Sequence, residues 1–138
     1  GLTVPAEQGS TGEGKIDGSI EDDETVEVSA KEYFANANYV ASDSMAKALM
    51  EVKSGTADVA LVDSVCALGM VGEGTDYVEL LIVDGLELAV EEYGIGCRLN
   101  SDLVDQLNDK TDELVKDGTL DKIAEKYDLK ASLISNQE

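Results

Sequence analysis

Apolar and polar positions change period several times along this chain. Leu2–Ala6 (LTVPA) is a short apolar run with β-branched residues, and it breaks into the small polar turn QGSTG at Gln8–Gly12. That pattern predicts a buried strand, despite Pro5, followed by a turn. Thr11–Glu13 then opens a helix. The segment Lys15–Ser29 contains Gly18 and the acidic run Glu21–Glu24, and it reads as a solvated insertion or short hairpin. A short helix follows over Ala30–Phe34, then a strand near Tyr39–Ala41. Next, Met45, Ala48, Leu49 and Val52 recur at helical spacing. Ser42 and Asp43 are suitable N-cap residues for that helix, and Gly55 is placed to end it.

The stretch ADVALVD, residues Ala57–Asp63, is almost wholly apolar, as expected of a parallel strand covered on both faces. Asp63 stands where that strand ends and a helix over SVCALGMV begins. After the turn GEGTD, the runs YVELLIVD (Tyr77–Asp84) and LELAVEEYGIGCRL (Leu86–Leu99) predict two or three further strands. Helices complete the chain. Leu103, Val104, Leu107, Leu114 and Val115 share one face after the cap NSD, and Leu120, Ile123, Ala124 and Tyr127 share another after DGT. Strands alternating with helices predict an α/β fold, a three-layer arrangement with a mainly parallel sheet flanked by helices. No internal repeat is present.

Composition narrows the function more than the fold. The chain has 138 residues with 43% hydrophobic content, enough for a core of ordinary size. Thirty acidic residues against ten basic ones give a formal charge of −20. Such a field repels phosphate backbones and anionic lipid, so no nucleic-acid partner is expected. There is no His, and the two cysteines, Cys66 and Cys97, form no CxxC pair. Those facts speak against His-based triads and a zinc site, and they favour two buried free thiols. The acidic run Glu21–Glu24 lacks the alternating oxygen ligands and central glycine of a calcium loop. No metal and no cofactor are expected. No apolar run is long enough to span a membrane, and no leader peptide is visible ahead of the first strand.

Ligands of open α/β sheets bind beyond the carboxyl ends of strands, where helices begin. Two places fit. The turn at Gln8, Ser10, Thr11 and Gly12 offers backbone N–H groups at a helix start, hydroxyl donors, and a glycine that allows close approach. Only Lys15 is basic nearby, which favours a single carboxylate over a phosphate-rich ligand, and the GxxxxGK[ST] pattern is absent. An ordinary capped turn would use the same residues. Asp63, at a strand end, either caps the next helix or receives a ligand ammonium. Together the two places would suit a zwitterion.

The segments EQGSTGE, SDSMAKALMEVKSGTADVALVD and EEYGIGCRLNSDLVDQLN…DGTLDKIAEKY closely resemble the later half of bacterial extracellular solute-binding proteins that serve amino-acid ABC importers. The resemblance implies two α/β lobes closing on a ligand, with an importer permease as partner and no enzymatic activity. It implies that Ser10, Thr11 and Gly12 seat the ligand α-carboxylate, that Asp63 takes the α-ammonium, and that Gln8 contributes. It further implies that 1–92 is the second lobe with a hinge strand and 93–138 a returning piece that completes a first lobe. No part of this sequence corresponds to that first lobe, which supplies most of the family's selectivity. The apolar faces of the tail then need cover, from this lobe or from a second chain in a homodimer or domain swap. An extracellular or periplasmic, membrane-tethered location is implied. The same fold also serves as a sensing domain of signalling receptors, and in dehydratases of prephenate-like acids, for which no acid–base group is evident here.

Overall fold

The structure is a computed structural model, and it describes residues 1–21, 29–83, 86, 88 and 91–136. Within it the chain divides into two compact units, Gly1–Glu91 and Glu92–Glu138.

The first unit is built around strand β1, Thr3–Glu7, whose Val4, Pro5 and Ala6 are buried. Strand β2, Asn38–Ser42, pairs with it in parallel, in register from Thr3 opposite Asn38 to Glu7 opposite Ser42. On the other side, residues 58–61 run alongside β1: Asp58 and Leu61 donate to the carbonyls of Thr3 and Pro5 at 3.0 Å each, and Ala6 bridges Leu61 in parallel. The expected strand at Ala57–Asp63 is therefore held at a single bridge and not along a full ladder. Pro5 explains this. Its carbonyl faces the 58–61 segment, and so would its N–H, which proline lacks. Thr3, the other β1 donor on that side, gives its N–H to the Asp58 carboxylate at 2.7 Å.

Helices flank this small parallel sheet, giving an α/β architecture. Helix α1 spans Thr11–Asp17, α2 Ala30–Tyr33, α3 Met45–Lys53 and α4 Ser64–Met70. Each begins at a residue whose side-chain oxygen accepts from a first-turn N–H: Ser10, Ser29, Ser44 and Asp63. Such caps satisfy donors that no preceding carbonyl can reach. The cap of α3 is Ser44, not Ser42 or Asp43, because Ser42 is still the last residue of β2 and is fully buried. Gly55 follows α3 at φ 76°, the left-handed turn that stops it. Val4 packs with Ala30, Phe34 and Leu88, and Ile16, Ala37, Val59, Leu61 and Leu86 close around them. Helix α3 lies on both strands through buried Ala48 and Leu49.

Two expectations need correction. Lys15–Ser29 does not begin as a solvated insertion: Lys15, Ile16 and Asp17 continue α1, which ends at left-handed Gly18. Lys15 is only 4% exposed and donates to the Glu21 carbonyl at 2.6 Å. The Ser10 cap and the packing of Ile16 carry the helix past the polar sequence. Most of the acidic run and the proposed hairpin, residues 22–28, lie outside the described residues. Second, the runs Tyr77–Asp84 and Leu86–Leu99 form no named strand among the described residues. Tyr77 makes one bridge, to Val71. Leu81, Ile95 and Leu99 are 88%, 76% and 86% exposed. Alternating apolar residues specify a strand only where another strand's edge accepts their hydrogen bonds. Residues 84, 85, 87, 89 and 90 of those runs lie outside the described residues.

The second unit holds helices α5, Leu103–Lys116, and α6, Thr119–Lys126, which pack on each other, and two short 3-10 turns. Gly118, at φ 72°, makes the tight turn between the two helices. Ala124 alone is buried among the described residues of this unit, while Leu103, Val104, Leu114, Ile123 and Tyr127 are exposed. Both cysteines are free and half-buried, not fully buried as expected. No helix among the described residues is long and apolar enough to cross a membrane.

The core argument makes a direct prediction. Phe34→Ala removes the largest ring of the Val4 cluster and its edge-on contact with Tyr33, at 5.1 Å between centroids. It is expected to lower stability by about 3 kcal/mol. Urea unfolding followed by circular dichroism measures this, and a loss under about 1 kcal/mol would show that the cluster is not the core.

Candidate functional site

Parallel pairing sets the position of the candidate site. Because β1, β2 and residues 58–61 run the same way, all three end at one edge of the sheet. There each turns into a helix, α1, α3 and α4 respectively. The turns at Gln8–Gly12 and at Asp63 are thus neighbours, although Gly12 and Asp63 stand 51 positions apart in the sequence. Their closest link is Gly12: a Cβ there would meet Leu61 Cγ at 3.3 Å and Ser10 Oγ at 3.4 Å. Gly12 therefore lets α1 start hard against the segment that leads into Asp63.

Each sequence-predicted residue has a definite local role. Gln8 is exposed, and its N–H donates to the Ser42 carbonyl at 2.9 Å, continuing the β1–β2 pairing. Gly9 adopts φ 77° and turns the chain. Ser10 N–H donates to the Glu7 carbonyl at 3.1 Å, and Ser10 Oγ accepts from Glu13 N–H at 3.3 Å. Thr11 and Gly12 are the first helical residues of α1, half-buried, whose N–H groups no earlier turn of helix can accept. Asp63 is half-buried at the start of α4, where Oδ1 accepts from Cys66 N–H at 2.9 Å. Ser10 and Asp63 thus both serve as helix caps, the local alternative that the sequence already offered.

Three residues at this edge escaped sequence reasoning. Glu13 reaches back so that Oε2 accepts from Gly9 N–H at 2.5 Å, while Oε1 accepts from the Tyr39 hydroxyl at 2.8 Å. Tyr39 comes from β2, so this carboxylate ties the turn to the neighbouring strand. The spacing Ser10-x-x-Glu13, a capping box, was the available signal for it. Glu7 is the third. It is the last residue of β1, at the same edge as Asp63, and the Cys66 thiol is pushed up chiefly by burial and then by the charges of Asp63 and Glu7. No sequence signal marks Glu7, since only the pairing of Ala6 with Leu61 brings it there.

Chemically, the edge combines first-turn N–H groups with carboxylates at Glu7, Glu13 and Asp63. It holds a positively charged group readily through the acids. In the Gln8–Gly12 turn a carboxylate can be received at Thr11 and Gly12, while Glu13 already engages Gly9. Among the described residues, no group of three or more His, Cys, Asp or Glu side chains is arranged to hold a metal ion.

No protein-family model matches the chain, and no solved structure matches it. Two curated proteins match part of it: the L-cystine-binding protein TcyJ of Escherichia coli K12 and that of Escherichia coli O6:H1 strain CFT073. Each is 36% identical over 78 residues, which is 56% of this chain. The matched stretch spans only 28% of the length of each relative. This likeness supports the amino-acid solute-binding family, and it concerns binding proteins, not enzymes. It does not extend to lobes or individual residues.

The Tyr39–Glu13 contact makes a pH prediction. Burial, and then the hydrogen bond and charge of Glu13, push the Tyr39 hydroxyl from its usual 10.0 up to about 12. The folded state holds that proton more tightly than the unfolded chain does. Its contribution is therefore present below pH 10 and is lost as pH rises towards about 12. Ultraviolet titration should show one tyrosine ionising last, and Tyr39→Phe should remove that phase. A final phase that survives in Tyr39→Phe would refute the assignment.

Proposed function

We propose that this chain is part of the substrate-binding component of an ABC-type amino-acid importer, capturing an amino acid outside the cytoplasmic membrane for an importer permease. The reading rests on the shared sheet edge that brings the Ser10–Gly12 turn beside Asp63. It is supported by the partial likeness to cystine-binding proteins. In this reading the ligand α-carboxylate sits on the N–H groups of Thr11 and Gly12, with the Ser10 and Thr11 hydroxyls beside it. The α-ammonium meets the Asp63 carboxylate, with Glu7 adding negative potential, and Gln8 lies at the rim.

Units 1–91 and 92–138 take the parts of a second lobe and of a returning piece that completes a first lobe. Such a division accounts for the exposed apolar faces of α5 and α6, which are built to be covered. The protein works outside the membrane or in the periplasm, tethered to it. Half of the ligand's contacts would then come from residues beyond those in this chain, and the chain by itself binds weakly.

Calorimetry and amide NMR of the 138-residue chain against L-cystine and the twenty common amino acids test this. Dissociation constants weaker than about 1 mM are expected, with shifts centred on Thr11, Gly12 and Ser64 amides. Asp63→Asn should weaken any measured binding about tenfold, because it removes a charge-assisted contact. Sub-micromolar binding by this chain would overturn the half-site reading. Ligand-induced shifts that bypass the sheet edge would overturn the site.

A further inference from the structure

The turn GEGTD lies outside the sheet edge discussed above, and it leads into the apolar run from Tyr77. Residues 72–80 form a compact loop that satisfies much of its own hydrogen bonding. Gly72 N–H donates to the Tyr77 carbonyl at 3.2 Å, and Thr75 N–H and Oγ1 donate to the Gly72 carbonyl at 3.2 and 2.8 Å. Tyr77 N–H donates to Thr75 Oγ1 at 3.2 Å, and Leu80 N–H to the Tyr77 carbonyl at 3.1 Å. These bonds link residues 72–80 into one local unit, so that losing its ties to the fold exposes its amides together. Its root at Gly72 has φ 104°, a conformation open to glycine and not to other residues.

The polar contacts of this loop with α3 meet at Lys53 and Tyr77. Lys53, the last residue of α3, donates to the Asp76 carbonyl at 2.5 Å and pairs with Glu79 at 3.1 Å. Its ammonium also stands 5.5 Å from the centre of the Tyr77 ring. Tyr77, buried, donates its hydroxyl to the Ala46 carbonyl at 2.9 Å. Glu79 is held below the usual carboxylate range, first by its own backbone N–H and then by Lys53. The loop's own Gly74, Thr75, Asp76 and Tyr77, with Gly69 and Met70 of α4, line a depression of about 250 Å³ that is open to solvent. Val78 is 57% exposed, so this side of the loop faces water.

We propose that residues 72–80 form a strap that opens locally as one unit, losing its own hydrogen bonds while β1 stays paired, and that Lys53 is the clasp that holds it shut. Three kinds of contact meet on one side chain, and two of them, the ion pair and the ring contact, depend on its charge. The pair is solvent-accessible, with Lys53 and Glu79 side chains 41% and 47% exposed, so salt loosens it. The Tyr77 hydroxyl, bonded to the Ala46 carbonyl of α3, is the second tie, and it is released with the strap. Opening frees the strap without disturbing β1, which is held by separate bonds to β2 and residues 58–61.

Native-state hydrogen exchange on the full 138-residue chain tests this, read at the amides of Gly72, Thr75, Tyr77 and Leu80. In the wild type these amides should exchange faster than those of β1, through an opening separate from global unfolding. Lys53→Met should speed their exchange about three- to tenfold and leave β1 and α3 unchanged. About 0.5 M NaCl should speed the strap in the wild type and have no such effect in Lys53→Met. Glu79→Gln, which keeps the lysine and cannot empty the core, should give a smaller rise. Strap amides that exchange in step with β1, or that ignore both substitutions, would overturn the proposal.

Discussion

The structure depends on β1 being a central strand with parallel neighbours on both sides. A parallel neighbour cannot be reached through a tight hairpin, so the chain must travel back along the sheet between strands, which here it does through helices. That constraint places the start of every following helix at one edge. Pro5 limits the pairing on one side of β1, and the Asp58 carboxylate takes the donor that Thr3 would otherwise leave unused. The sheet is therefore narrow, and its edge with the helix starts brings together polar groups from distant parts of the first unit.

At that edge, the groups that hold the fold are the ones assigned to the ligand in the proposed function. Ser10 and Asp63 cap helices, and Glu13 joins the Gly9 turn to Tyr39 on β2. A cap is a receptor for a backbone N–H, so residues suited to capping are also suited to a polar ligand. What separates the two uses is the potential around them. Three carboxylates at one edge make it a place for a positive group first, and an anion is admitted only where first-turn N–H groups remain. The amino acid proposed as ligand would meet both conditions.

The second unit shows a different balance. Its helices are well specified locally, with Gly118 setting the turn between them, yet they bury almost nothing. Helix propensity and a good turn give shape without much stability, because most helical stability in proteins comes from burying an apolar face. The runs around Leu81 and Ile95 follow the same rule in β form: their residues favour a strand, but among the described residues no strand edge receives them.

Helices and their caps were largely legible in the sequence, since Ser44, Asp63 and Gly55 act through neighbours three or four residues away. So were β1 and β2, whose apolar runs are short and bounded by turn residues. Glu13 was legible in principle through the Ser10-x-x-Glu13 spacing. Lys15 was not: its burial depends on how α1 lies in the fold, not on its polar surroundings in the chain. The strands expected after Tyr77 were misread because a strand needs a partner that no local pattern supplies. The sequence by itself determined the local turns, caps and amphipathic faces, because those forces act within a turn or two of backbone. Only the tertiary structure decided which carboxylates share the edge with Asp63, that Gly12 rests on Leu61, and which apolar runs remain uncovered. Those outcomes depend on the parallel pairing around β1, which joins residues far apart in the chain.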